Sequence, residues 1–144
     1  MKKFIYHQTK TEGIIFYQLN GKQNFLLLKR VKKDGGFWQP VTGTKSDDET
    51  LGKCLLREIE EETGITKKQI IKIINNVLEF EWDKKGKKIK EYVYGIEVKP
   101  NTDITINPQE HTKFVWLKFN KAINMLTMEK NKIALKNLLE RINT

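Results

Sequence analysis

The run Arg57-Glu58-Ile59-Glu60-Glu61-Glu62 concentrates the chemistry of this chain. At about 100° per residue, Glu58, Glu61 and Glu62 share one side of a helix, beside an apolar stripe of Leu51, Leu55 and Ile59, while Glu60 faces solvent. Like charges at i,i+3 and i,i+4 repel, and carboxylates in the last turns of a helix oppose the macrodipole. Arg57 can reach Glu61 one turn further on and offset one carboxylate, but the others have no basic partner at helical spacing. A bound divalent cation relieves that repulsion, and oxygen ligands favour the hard ions Mg²⁺ or Mn²⁺ over zinc. Ions held this way can neutralise phosphate charge, activate water and stabilise a leaving oxygen. The competing reading is a solvated charged face, the ordinary fate of a charge run on a helix.

The elements that must position this helix are legible around it. Apolar and β-branched runs at 12–18 and 24–31 flank Asn20-Gly21, a two-residue hairpin signal. Asp34-Gly35-Gly36 reads as a flexible turn, followed by a short stretch over 37–42 and then Gly43. Ser46-Asp47-Asp48-Glu49 fits a capping box, which predicts a helix from Ser46, and Gly64 supplies its stop. Strand-like segments return at 73–82 and 90–98, joined across Asp83-Lys84-Lys85-Gly86, and again at 112–117. An amphipathic helix is expected from near Thr127 to Ile142. Strands with one central and one terminal helix indicate a mixed α/β domain whose helices cover a sheet. No linker or repeat divides the chain, so residues 1–144 read as one domain.

Composition narrows the partners. With 38% hydrophobic residues and 10% aromatics, the chain is globular in type, and its net charge of +9 favours an anionic partner. Cys54 is the lone cysteine, which excludes an intrachain disulfide and suits a reducing cytoplasm. The apolar N-terminal stretch stops after three residues, too short for a signal peptide, and no run approaches the roughly 20 residues of a spanning helix. A soluble protein without a membrane partner is expected. Basic residues at Lys67-Lys68 and from Lys84 to Lys90 raise nucleic acid as a partner, although lysines beside a hairpin also keep a strand edge soluble. Gly43-Thr44-Lys45-Ser46 lacks the spacing of a phosphate-binding P-loop.

Gly43, then Glu49, then Arg57-Glu58-Ile59-Glu60-Glu61-Glu62-Thr63-Gly64-Ile65 resembles the Nudix box of pyrophosphohydrolases at every fixed position. The loop 44–48 lacks a glycine often found there, and Gly52 interrupts the helix; neither touches a ligand position. The resemblance implies a Nudix α/β/α sandwich, with a mixed β-sheet flanked by helices, and hydrolysis of a nucleoside diphosphate linked to another moiety. It assigns Glu58, Glu61 and Glu62 as Mg²⁺ ligands, the carbonyl of Gly43 as a further one, Arg57 as the residue that orients the glutamates, and Glu49 as structural.

Three further segments, Phe37-Trp38-Gln39-Pro40-Val41-Thr42-Gly43, Leu78-Glu79-Phe80-Glu81 and Glu110-His111-Thr112-Lys113-Phe114-Val115-Trp116-Leu117, look like those of bacterial dihydroneopterin triphosphate pyrophosphohydrolases. Members of that group are also described as dATP pyrophosphohydrolases. The likeness implies that Glu110 completes the metal site as an outer ligand or water-activating base, and that Arg30 and Thr42 contact substrate. Trp38 and Phe80 are candidate substrate contacts, with packing in the core as the alternative for both, as for Phe37 and Trp82. His111 reads as a structural neighbour of Glu110.

The expectation is therefore a Mg²⁺-dependent pyrophosphohydrolase, with Mn²⁺ as a substitute, in which Glu58, Glu61, Glu110 and Arg57 act on a small-molecule nucleoside or pterin triphosphate. The products are a monophosphate and pyrophosphate. A dinucleoside polyphosphate or oxidised nucleotide is the alternative substrate, and an RNA-binding or decapping role ranks below both. Monomer and homodimer are equally compatible with the sequence.

Overall fold

A computed structural model describes residues 6–144; of the apolar N-terminal stretch, Phe4 and Ile5 lie outside the described residues. Strand β1 (Gln8–Leu19) turns at Asn20 and Gly21, whose φ values of 53° and 75° are those a two-residue hairpin requires, into β2 (Lys22–Arg30). A short 3-10 turn at Lys32–Asp34 leads to β3 (Trp38–Gln39) and β4 (Val41–Thr44). Helix α1 (Leu51–Thr63) follows, then the long hairpin of β5 (Ile70–Lys84) and β6 (Lys87–Val98), then β7 (His111–Leu117). Helices α2 (Phe119–Met125) and α3 (Glu129–Ile142) end the chain.

The sheet runs β3-β2-β1-β6-β5, with β4 also pairing with β1 and β7 with β2. β1 and β6 are parallel and the other pairs antiparallel, so the sheet is mixed. Alternation along its central strands divides the apolar residues between two cores. Ile14, Phe16, Phe25 and Leu27 pack with Leu135 and Leu138 of α3, whereas Ile15, Leu26 and Leu28 pack with Leu55 and Ile59 of α1. Helices thus cover both faces, the α/β/α sandwich expected from the sequence. Gly13 lets β1 pass close beneath α1: a Cβ there would lie 3.1 Å from Leu55 of α1 and 2.9 Å from Ile96 of β6.

Two elements differ from the sequence reading. The first helix begins at Leu51, not Ser46, with Thr50 as N-cap accepting from the Lys53 amide at 3.2 Å. Ser46 and Glu49 do interact, the Ser46 amide donating to Glu49 Oε1 at 2.9 Å, but they close a turn. Glu49 is drawn aside by Arg57, so its carboxylate serves the helix from outside it. The second difference is α2, a helix of seven residues that the sequence hides, since it has no side-chain cap and only Ala122 buried. Gly64 stops α1 as expected, adopting φ 77° while its amide donates to Glu60 O at 2.8 Å.

Candidate functional site

The last two turns of α1 face the β4 strand and the start of β7. Glu58 is half-buried, Glu62 is 2% exposed and Glu61 stands largely in solvent. Glu58 lies so close to Gly43 that a Cβ there would overlap its carboxylate, which is why glycine is needed at a position with ordinary backbone geometry. Arg57 gathers the acids around itself: Nη1 donates to Glu58 at 2.8 Å and approaches Glu61 at 3.3 Å, while Nε and Nη2 grip Glu49 at 3.1 and 2.7 Å. Nη2 also donates to the Thr44 carbonyl at 3.0 Å, tying the loop before the helix to the helix itself.

Glu62 turns inward toward β7. Its Oε1 is buried without a hydrogen-bond partner and lies 3.7 Å from Nε2 of His111, itself wholly buried with both ring nitrogens unpartnered. Glu62, Glu110 and His111 place one potential ligand atom each within 4.8 Å of one another. Burial, a hydrogen bond to Glu58 and the charges of Glu58 and Glu110 push the Glu62 carboxyl far above the ordinary carboxylate range. Burial also raises Glu58, against the lowering pull of Glu62 and Arg57. His111 is held neutral, its pKa lowered to about 4 by burial and by Arg30. A buried carboxylate oxygen without a partner, and a glycine moulded against a second carboxylate, form a cradle of oxygens suited to hard divalent cations.

A cavity of about 460 Å³ adjoins this cluster, its lining including Arg30, Thr42, Phe80, Trp82, Glu91 and Asn131. Arg30 and Lys10 mark the junction. Arg30 acts electrostatically on Glu62 and His111, and Lys10, which also lines the cavity, senses both Glu91 and Glu58. Burial lowers the pKa of Lys10, and its ammonium sits 5.7 Å over the Trp82 ring. The cavity therefore has an aromatic wall, a cationic rim and an acidic neighbour.

Of the residues singled out from sequence, Glu58, Glu62, Glu110, Arg57 and Gly43 meet in the cluster, with Glu61 at its exposed edge. Arg30, Thr42 and Phe80 line the cavity. Trp38 does not: it pairs with Lys29 and packs against the core beside Leu126, while its neighbours Phe37 and Gln39 turn to the cavity by strand alternation. Missed entirely were Lys10, Glu91 and Asn131 on the cavity wall and Glu12 behind them. Lys10 and Glu12 lie in the polar first half of β1, Glu91 in the lysine-rich start of β6 and Asn131 on α3, so their types do not stand out from their neighbours in sequence.

Fold and site together define an α/β/α domain with a helix-borne carboxylate cluster beside a cation-rimmed, aromatic-walled cavity. Residues 9–139 match the NUDIX domain, and the chain belongs to that family. Among curated proteins it is similar to the dihydroneopterin triphosphate diphosphatase of Haemophilus influenzae, 29% identical over 127 residues that cover 81% of this chain and 79% of that protein. It also matches the octanoyltransferase of Myxococcus xanthus, 27% identical over 104 residues, which are 72% of this chain but only 29% of the relative. This chain thus spans less than a third of that relative's length. Its fold is that of a C. elegans Ap4A hydrolase, with TM-score 0.84, 23% identity and coverage of 94% of this chain and 98% of the other. It is equally that of the E. coli dihydroneopterin triphosphate pyrophosphohydrolase, with TM-score 0.79, 21% identity and coverage of 92% and 95%. No helix among the described residues is long and apolar enough to cross a membrane.

Proposed function

We propose that this chain is a Mg²⁺-dependent pyrophosphohydrolase that cleaves a nucleoside or pterin triphosphate to its monophosphate and pyrophosphate in the cytoplasm. The observation that carries this reading is the junction of the Glu58–Glu62 cluster with the aromatic cavity across Arg30 and Lys10. A triphosphate ester has matching parts: a flat heterocycle for Phe80 and Trp82, and a polyanion for Arg30 and Lys10 on its way to the acids. Membership of the NUDIX family and the named activities of the Haemophilus and E. coli relatives support the same class of substrate.

Glu58, Glu61, Glu62 and Glu110, with the Gly43 carbonyl, would hold Mg²⁺ or Mn²⁺. When bound, such an ion neutralises phosphate oxygens and lowers the pKa of a coordinated water. The chain's own residues supply the rest. Arg57 fixes Glu58, and through Thr44 and Glu49 the loop that carries Gly43, so the oxygen ligands are in place before substrate arrives. Glu110, at the start of β7, is the proposed base that takes a proton from the attacking water. That water adds to phosphorus as the bridging P–O bond breaks, and the leaving pyrophosphate departs along the cationic rim. Thr42 and Arg30 orient the ester, and neutral His111 backs Glu62 without competing for substrate phosphate.

The test is a panel of dihydroneopterin triphosphate, dATP, an oxidised dGTP and a dinucleoside tetraphosphate, assayed for pyrophosphate against orthophosphate with and without Mg²⁺. Pyrophosphate from the triphosphates, abolished in Glu58→Gln and Glu62→Gln proteins that keep native circular dichroism, is expected. Full activity in both variants removes the metal-site assignment, and a Mg²⁺-dependent preference for the tetraphosphate overturns the substrate class.

A further inference from the structure

The inner wall of the cavity carries a chain of polar side chains that the hydrolysis does not use. Asn131, at the start of α3, donates its amide to Glu12 Oε1 at 2.9 Å, and the Trp82 indole donates to Glu91 Oε1 at 3.0 Å. β1 and β6 run parallel in a register that sets Glu12 against Val93 and Lys10 against Glu91, so the two carboxylates occupy neighbouring strands. Glu12 is fully buried with Oε2 unpartnered, whereas Glu91, 5% exposed, lines the cavity together with Asn131.

Two buried carboxylates in contact do not both ionise. Burial, the charge of Glu91 and a hydrogen bond to it hold the Glu12 carboxyl well above its ordinary range, so Glu12 keeps a proton and directs it to Glu91. Glu91 accepts from the Trp82 indole and faces the cavity. Its free lone pairs, and the carbonyl of an Asn131 whose amide is already engaged by Glu12, make this wall rich in acceptors. Phe80 and Trp82 alternate along β5 and supply a face for stacking, now covered by Lys130 and Lys10, each 5.7 Å from a ring centre.

We propose that Glu91 and Asn131, positioned by Glu12, select a fused heterocycle that offers two adjacent N–H donors, a ring N–H beside an exocyclic amino group as in pterins and guanines. Adenine puts a ring acceptor beside its amino group, and that acceptor would meet the Glu91 lone pairs with no proton between them. A site built to hydrogen-bond one edge rejects the analogue that leaves its buried polar groups unpaired. This selection rests on the triphosphate reading above and decides between its two substrates, favouring the pterin over dATP.

Two measurements separate this inference from that reading. The first is equilibrium binding of phosphate-free ligands, 7,8-dihydroneopterin, guanosine and adenosine, to the full chain in EDTA. The second is kcat/KM for dihydroneopterin triphosphate and dGTP against dATP. A preference of about tenfold or more for the donor-edged heterocycles is expected in both. Glu91→Gln should erase most of it, while Glu12→Gln, which carries an N–H where the shared proton sits, should retain it. Equal affinity for adenosine and guanosine in the wild type, or an unchanged ratio in Glu91→Gln, overturns the proposal while leaving the hydrolase intact. Selective binding without any triphosphate hydrolysis would uphold it and sink the hydrolase instead. Should Glu91→Gln fail to fold, the wild-type comparison decides alone.

Discussion

Arg57 grips Glu49 across eight residues of chain, Nε to Oε2 at 3.1 Å and Nη2 to Oε1 at 2.7 Å. The pair is a fork on a carboxylate, and it leaves Nη1 for Glu58 at 2.8 Å. One guanidinium therefore fastens the loop preceding α1 and aims a proposed ligand at the same time. Lysine keeps the charge and cannot make the fork. Arg57→Lys is expected to cut kcat by about tenfold or more through a misplaced Glu58, with a smaller effect on KM. Steady-state kinetics beside a melting curve checks this; an unchanged kcat would show that Glu58 orients without Arg57.

The same pair sets an acid limb. Hydrogen bonds from Arg57 and from the Ser46 amide hold Glu49 at about 2, below its ordinary value of 4.5. A carboxylate with a depressed folded pKa stabilises the fold above its unfolded pKa and loses that contribution as pH falls through the folded one. Its share of stability is thus complete at neutral pH and drains between about 4.5 and about 2. Glu49→Gln has nothing to lose there. Thermal melts of both proteins should lie apart at neutral pH and converge toward the acid end, and curves that stay parallel would count against the pair.

Gly43→Ala isolates the cradle. The added methyl group overlaps the Glu58 carboxylate, and Gly43 is not among the residues with positive φ, so the substitution displaces Glu58 without straining the backbone. Loss of at least about a hundredfold in kcat, with a melting temperature within a few degrees of wild type, is the expected signature of a ligand moved in a fold left standing. Mg²⁺ titration of the residual activity should show a weakened metal dependence. A protein that melts much earlier would place the role of Gly43 in packing.

What the sequence reveals and conceals follows from the range of each interaction. The hairpin at Asn20-Gly21, the stop at Gly64 and the carboxylate side of α1 are local and periodic, and they are legible before any folding. The start of α1 is ambiguous in the sequence because a Ser46–Glu49 capping box and a Ser46–Glu49 turn share the same four residues, and only Arg57, eight positions on, decides between them. Trp38 and Phe37 are equally aromatic, and which one faces the cavity depends on the pairing of β3 with β2. Glu12, Glu91 and Asn131 come together from β1, β6 and α3, with the hydrogen-bonded ends 119 positions apart in the chain, so no local pattern announces them.

Glu12 offers a dependence of opposite sign to that of Glu49. Burial first, then the charge of Glu91, raises its folded pKa well above 4.5. A group raised on folding contributes its full stability below the unfolded pKa and loses it as pH climbs toward the folded one, because the buried form must keep a proton that the unfolded chain has released. Lys10, Lys84, Lys130 and Glu91 line the same cavity beside it. Glu12→Gln is nearly isosteric with the protonated carboxyl, accepts from Asn131 and donates to Glu91, and its stability is insensitive to this titration. The variant should therefore melt close to wild type near about pH 5 and progressively above it toward about pH 8, the gap widening monotonically. Melting both proteins across that interval reads the difference directly, since all other titrations are shared. A gap that does not widen would mean that Glu12 ionises in the folded chain and that the proton assigned to the Glu12–Glu91 pair is absent.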